Sequence, residues 1–215
     1  MDYHLVQDLQ NRVVSAKMDR KLDADVVIWV EHHPVFTIGR HGGEENLIVS
    51  AGFLQEQKIR MVLAERGGNI TFHGPGQLVV YPVVNLQKLG LRVPEYVHLL
   101  EKVMMLTAHA FSVSAERNPL NPGIFFGDKK LGSVGIAMRH GIAFHGFALN
   151  ITTALEPFQW IHPCGLKGIA ATSLENETGV AFTREQVQGA AQQHFCQLFH
   201  IEPVSIELME LEKLL

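Results

Sequence analysis

Cys164 lies in the stretch IHPCGLKG, between a proline and a glycine and outside any periodic run of apolar residues. Irregular segments of this kind are where folds tend to display reactive side chains. A thiol held there becomes a nucleophile as the thiolate, a form that a neighbouring positive charge favours. Cys196 has the opposite setting. It belongs to EQVQGAAQQHFCQLF, whose apolar positions 187, 191, 195, 198 and 199 follow helical spacing, so a passive, helix-borne thiol is predicted. Two cysteines without Cys-x-x-Cys spacing make neither a disulfide framework nor a zinc or redox pair. A cysteine hydrolase would pair the thiol with a histidine and an orienting Asn or Asp. His73 and His145, each followed by a glycine, are the histidines placed at a loop or strand end where such a partner could stand.

The segment RGGNITFHGPGQL, residues 66–78, sets four glycines and a proline among thirteen positions that also hold Arg66 and His73. Gly67-Gly68 and Gly74-Pro75-Gly76 read as two tight bends around the alternating Asn69-Ile70-Thr71-Phe72. A nucleotide is the first ligand to test. A phosphate loop ends in Gly-Lys-Ser/Thr, whereas Gly76 is followed by Gln77-Leu78, and no Gly-x-Gly-x-x-Gly opens a helix here. From these residues alone, a ligand-wrapping loop and a plain glycine-rich hairpin both stay open. The same holds for Gly132-Ser133-Val134-Gly135, which could be a binding strand or a bulge without a ligand. Twelve histidines raise the question of a metal. None has the His-Glu-x-x-His spacing, and His32 and His33 point to opposite sides of an extended chain, so no metal site is expected.

These residues need a frame to hold them. Leu5, Val6, Leu9, Val13 and Val14 make an amphipathic opening helix that reaches Met18. Strands are predicted at 23–30, 35–38, 59–63 and 78–84, with a short helix around 53–57. Pro94 suits the first turn of a helix running to about Phe111, with Val97, Leu100, Val103, Met104 and Ala108 as its apolar stripe. Strand-like pieces follow at 113–116, 123–126, 130–138 and 143–151, then an irregular stretch at 157–168. A helix from Thr183 or Arg184 and a closing strand near 204–206 complete the reading. No repeat, linker or low-complexity tract interrupts it, so residues 1–215 are expected to form one α+β domain. Its sheet is mixed or mainly antiparallel, with helices beside it.

Composition narrows the function. The 215 residues are 47% hydrophobic and 19% charged, enough to bury a sizeable core. A formal charge of −4 with no Lys/Arg stripe argues against a nucleic-acid binder. No apolar run could span a bilayer and the first residues lack a signal-peptide pattern, so a cytoplasmic chain without a membrane partner is expected.

Three segments look like parts of one site: RGGNITFHGPGQL, KKLGSVGIA at 129–137, and FHGFALNI followed by WIHPCGLKG within 144–168. Together with EHHPVFTIGR at 31–40 and ATSL at 171–174, in this order and at these spacings, they resemble the lipoate-protein octanoyltransferases over nearly the whole chain. The resemblance implies the fold shared by octanoyltransferases, lipoate ligases and biotin protein ligases. It implies transfer of an octanoyl group from octanoyl-acyl carrier protein to a lysine of a lipoyl domain, in 2-oxoacid dehydrogenases or the glycine cleavage H protein. Cys164 is then the residue that carries the acyl thioester, and Lys130 the one that lowers its pKa and shuttles protons. Arg66, Gly67, Gly68, Asn69, Ile70, Thr71, Phe72 and His73 are assigned to the acyl pocket, as are Ser133, Val134, Gly135, Gly146, Phe147 and Ala148. No ATP or other cofactor is implied, because a thioester already lies above an amide in energy. A monomer is expected.

The chain departs from the family pattern at Asn69, where glutamine is common, at His162, where asparagine usually precedes Pro-Cys-Gly, and at Phe125-Phe126, where tryptophan is frequent. None of these removes a group with a chemical role. Lys129 competes with Lys130 for the lysine's part, but successive strand residues face opposite sides. Other readings are an ATP-dependent lipoate ligase, which has no need of Cys164, an amidotransferase with its cysteine elsewhere, and an acyl-binding protein without turnover.

Overall fold

The computed structural model describes residues 1–119, 121–162 and 169–215. Its first element is helix α1 (Tyr3–Met18), started by Asp2, whose carboxylate accepts the backbone N–H of His4 at 2.8 Å. Val6, Leu9, Val13 and Val14 recur at helical spacing on its buried side. Two more helices matter for the core. In α3 (Val93–Ala110), after the short α2 (Ala51–Glu56), Pro94 occupies the first turn and the Glu95 carboxylate reaches back to the Arg92 N–H at 2.8 Å. After the short α4 (Leu174–Thr178), α5 (Arg184–Phe199) opens with a reciprocal pair in which Thr183 and Gln186 each bond the other's backbone N–H.

Among the described residues, nine strands form two sheets. They are β1 (Val26–Val30), β2 (Val35–Ile38), β3 (Arg60–Leu63), β4 (Ile70–His73), β5 (Gln77–Asn85), β6 (Glu116–Asn118), β7 (Asn121–Phe126), β8 (Lys129–Arg139) and β9 (Ile142–Asn150). The large sheet runs β1-β5-β9-β8-β7-β6, and every neighbouring pair in it is antiparallel. The small sheet runs β3-β2-β4 and is mixed, because β2 pairs parallel with β3 and antiparallel with β4. The fold is therefore α+β with antiparallel and mixed sheets flanked by helices.

Alternation along the central strands divides the core. Leu78, Val80, Phe147, Leu149, Leu131 and Ile124 meet Tyr96, Leu100 and Met104 of α3 and Val187 and Phe195 of α5 on one face. On the other, Val79, Tyr81, Val83, Phe144 and Ala148 face the apolar side of α1. Each fully buried aliphatic or aromatic side chain contributes about 1.5–3 kcal/mol relative to exposure. The small sheet has its own core of Phe36, Ile38, Ile70, Phe72, Phe158 and Ile161.

Several elements differ from the sequence reading, with β4 and α4 forming where no strand or helix was predicted. Residues 204–206 form no strand: Val204 is 85% exposed and pairs with nothing, and the chain goes on to an unpredicted helix, α6 (Leu208–Lys213). Val204 and Ile206 both stay exposed, while Leu211 finds a place in the core cluster of α1. The strand predicted at 113–116 begins only at Glu116, because Val113 turns back to donate its N–H to Ala108 O at the end of α3.

Candidate active site

Residues 66–69 lead into β4 and pass over β8, tied by the Gly67 N–H to Ile136 O at 2.8 Å. Gly68 has φ +78°, a left-handed turn that a side chain would strain. Beneath this crossing lies a cleft of about 500 Å³, its open mouth included, between the small sheet and the α1 face of the large one. It is lined by Arg66, Gly67, Gly68, Asn69, Ile70, Thr71 and His73, by Ser133, Val134 and Gly135, and by Gly146, Phe147 and Ala148. Lys130, Tyr3, Val79, Tyr81 and His145 complete the lining. Phe72 departs from the expectation: in β4 its ring turns into the small-sheet core, 5.3 Å from Phe36 and 5.6 Å from Phe158, while its neighbours Thr71 and His73 face the cleft. The Phe147 side chain likewise belongs to the core on the far face of the sheet.

Lys130 is 6% exposed. Its Nζ donates to Asn121 Oδ1 at 2.5 Å and lies 5.4 Å from the centre of the Phe125 ring. Its backbone is clasped on both sides: the N–H donates to Ala170 O at 2.8 Å, and the carbonyl accepts the Thr172 N–H at 2.9 Å. Lys129 points away and pairs with Glu177 at 3.0 Å. The β7–β8 register slips here, Lys130 facing Phe125 but Gly132 facing Ile124, so that Leu131 is the extra residue of a bulge. The bulge lets Lys130 and Ser133, an odd number of positions apart, line the same cleft.

A second hollow of about 390 Å³, lined by Gln77, Asn150, Phe158 and residues 169–171, shares Thr71, Lys130, Ser133 and Ala148 with the first. Lys130 thus stands where two lobes meet. Cys164 and Lys167 lie outside the described residues; the described chain runs to His162, whose N–H bonds Asn46 O, and resumes at Ile169. Cys196 is on α5, half-buried and without a disulfide, and burial pushes its thiol upward.

Polar groups deep in the cleft are tightly organised. Gln77 Nε2 donates to Asn150 Oδ1 at 2.8 Å, which leaves its Oε1 to accept from His73 Nδ1 at 2.8 Å; Asn150 Nδ2 in turn donates to Thr172 O. His32 Nδ1 faces Met1 O, an acceptor, so this nitrogen carries the proton and Nε2 accepts the Tyr81 hydroxyl at 2.9 Å. Arg66 is buried and donates to Thr37 O at 2.6 Å, Thr37 Oγ1 and Gly67 O. Burial first, with the positive charge of Arg66 also acting on His73 and His145, pushes the histidines down: His32 to about 4, and His73 and His145 to about 3. All three are neutral imidazoles at pH 7. Among the described residues no group of three His, Cys, Asp or Glu is placed to hold a metal ion, and no helix is long and apolar enough to cross a membrane.

Sequence reasoning missed Asn121, Gln77, Asn150 and the tyrosines 3 and 81 as parts of this site. Tyr3 falls within a helical stripe and Tyr81 within a strand, where each reads as ordinary core; nothing local marks their shared destination.

A buried lysine where two hollows meet, a cleft walled in part by glycine, serine and alanine residues, and an α+β frame suit an enzyme that handles an acyl chain. Residues 2–196 match the lipoyl protein ligase A/B catalytic domain. An octanoyltransferase of Desulfotalea psychrophila is 49% identical over 181 residues, covering 83% of this chain and 81% of that protein. One from Syntrophobacter fumaroxidans is 38% identical over 215 residues, 100% and 94% of the two chains. The chain belongs to the lipoyl protein ligase A/B catalytic domain family and, within it, to the octanoyltransferases. Solved structures share the fold at low identity. A putative lipoate protein ligase from T. acidophilum with bound lipoic acid superposes with a TM-score of 0.73 at 16% identity over 96% of this chain and 87% of that one. A lipoate-protein ligase A bound with ATP gives 0.74 at 16%, over 96% and 85%.

Proposed function

We propose that this acyltransferase moves an octanoyl group from octanoyl-acyl carrier protein to the ε-amine of a lysine on a lipoyl domain, of a 2-oxoacid dehydrogenase or the glycine cleavage H protein, by way of Cys164. In the first half, the Cys164 thiolate attacks the donor thioester, a new C–S bond forms as the old one breaks, and the carrier thiol departs with the proton of the Lys130 ammonium, which is left neutral. In the second, the acceptor amine attacks the acyl-cysteine, an amide forms, the C–S bond breaks, and Cys164 leaves as the thiolate. The amine must shed a proton, and Lys130 in its neutral form takes it up. As an ammonium, Lys130 favours the thiolate for the next cycle.

The observation that carries this reading is the place of Lys130: buried, held by Asn121, and standing where the two lobes meet. One lobe accommodates the acyl chain along Ser133, Gly135, Gly146 and Ala148. The other leaves a second approach to the same amine, where donor arm and acceptor lysine can take turns. The test is intact-mass spectrometry after mixing the protein with octanoyl-acyl carrier protein. A single octanoyl adduct on Cys164, discharged by addition of a lipoyl domain, supports the reading; transfer that proceeds only with octanoate and ATP overturns it.

A further inference from the structure

His145 is 1% exposed, and among the described residues neither ring nitrogen has a hydrogen-bond partner. Its ring stacks on Phe144 at 5.1 Å and meets the Tyr81 ring edge-on at 5.9 Å. The backbone is held in the left-handed region at φ +57°, with its N–H fixed by Gln10 Oε1 at 2.8 Å. A β-strand residue adopts that conformation only under constraint. Pro82 and Gly146 supply part of it. Pro82 has no N–H for the β5–β9 ladder, which lapses between Val80–Phe147 and Val84–Ala143, and a side chain at Gly146 would collide with Val80 O. Tyr3 is 4% exposed, and its hydroxyl also lacks a partner among the described residues. Both side chains line the cleft, whereas the neighbouring His32 and His73 are engaged by Tyr81 and Gln77. Buried polar atoms left without partners are uncommon in native folds and mark a place where water or a ligand completes them.

We propose that Tyr3 and His145 form a polar end wall that limits the length of the acyl chain in this cleft. The inference rests on the reading of the cleft as the acyl site. Along β8 and β9 the paired residues run Ser133–Ala148, Val134–Phe147, Gly135–Gly146 and Ile136–His145. From the first pair, near Lys130, to the last is three residue steps, about 10 Å. That length matches an extended eight-carbon chain. A saturated chain of this length ends just before the wall and leaves its polar groups hydrated. Two further methylenes press against neutral imidazole and hydroxyl groups and displace the water that satisfies them, a loss of roughly tenfold or more for each group left unmet.

The experiment has two readouts. Calorimetric binding of free fatty acids of six to twelve carbons reads the cleft without any covalent step, and intact mass reads acylation of Cys164 by the matching coenzyme A thioesters. The wild type is expected to favour octanoate over decanoate by about a hundredfold, roughly tenfold from each of the two side chains. Tyr3→Phe keeps the volume and removes the hydroxyl, and His145→Gly removes the ring while tolerating a positive φ. Each is expected to raise the decanoyl-to-octanoyl ratio about tenfold in both readouts. A merely structural role would lower both chain lengths together. An unchanged ratio in both variants, or a wild type indifferent to chain length, overturns the end wall. Length-selective binding in a protein that never acylates Cys164 upholds the end wall and instead defeats the transfer mechanism.

Discussion

Lys130 Nζ donates to Asn121 Oδ1 at 2.5 Å, and this contact joins the amine on β8 to the first residue of the neighbouring strand β7. Asn121 is 3% exposed, and β7 is pinned in turn by Glu101, which accepts the Gly123 N–H at 2.9 Å and ion-pairs with Arg117. An amide oxygen only accepts, so it orients either protonation state of the lysine without adding charge. Asn121→Ala should lower octanoyl transfer about tenfold with little change in donor KM. Asn121→Asp adds a carboxylate that favours the ammonium, so the proton-accepting step should need higher pH. The pH profile of transfer checks both: its rise should move to the alkaline side in Asn121→Asp and stay in place in Asn121→Ala.

The two cysteines separate cleanly in a mutational test. Cys164→Ser should cost at least about a thousandfold in transfer, the scale expected when a nucleophile is removed. Cys196→Ser, on the half-buried side of α5, should stay within about twofold of wild type. Octanoyl mass found on Cys196 would defeat the assignment.

The two duties proposed for Lys130 can be divided by substitution. Lys130→Ala should slow alkylation of Cys164 by iodoacetamide near neutral pH. Lys130→Arg keeps the charge but cannot give up its proton, so alkylation should recover while transfer to the amine stays low. Matching alkylation profiles in wild type and Lys130→Ala would show that this ammonium does not tune the thiol.

Donor docking meets a charge problem, because the chain is net negative and acyl carrier proteins are acidic. Arg40 and Arg139 share one carboxylate, Glu65, at 3.4 and 2.8 Å, and Arg139 lies 5.2 Å from the centre of the Phe144 ring. Two cations on one anion leave a local positive excess beside the glycine crossing. Arg40→Glu should therefore lower the rate of acylation by octanoyl-acyl carrier protein severalfold at low salt and flatten its salt dependence, with a smaller effect on octanoyl-coenzyme A. Arg139→Glu should add a stability loss through its ring contact, visible in the thermal midpoint. Lys167→Glu, at the basic residue three positions after Cys164 in the sequence, should act as Arg40→Glu does. Equal losses with both donors would mean that these residues serve the pocket instead.

Acid should weaken the fold before it touches the carboxylates. His32, His73 and His145 take up protons near 3 to 4 when folded but near 6.5 when unfolded. Below pH 6.5 the unfolded chain binds more protons, so stability falls as pH drops from 6.5 toward 4 and is level above about 7. At pH 5 each such histidine costs about 2 kcal/mol. Urea midpoints at pH 7.5 and 5 should differ accordingly, and His73→Gln should narrow the gap. A midpoint constant across that range would show that the three imidazoles charge freely in the folded state.

Much of this protein is written in short-range pattern. The apolar stripe at Val6, Leu9 and Val13, the proline at 94 and the run from Leu78 to Val84 specify their helices and strands because the periods of 3.6 and 2 are local properties of the chain. The glycine bends, the Pro-Cys-Gly setting and the order of the three motifs were likewise legible, and with them the family. The weak elements were not: 204–206 alternates like a strand but stays exposed and unpaired, and β4 is short enough to pass for part of a loop.

Tertiary structure decided the rest, chiefly which side of each strand faces the cleft. Strict alternation puts Lys130 and Ser133 on opposite faces, and only the bulge at Leu131, set by the pairing with β7, brings them to one side. Alternation also sends Phe72 into the small-sheet core, because β4 has its own sheet to fill. Tyr3, Asn121 and His145 come from three distant points of the sequence, and no local period links them. A sequence determines periodic faces, because these follow from backbone geometry. It leaves unsaid which faces meet, because that depends on registers, bulges and sheet packing that form only when distant segments touch.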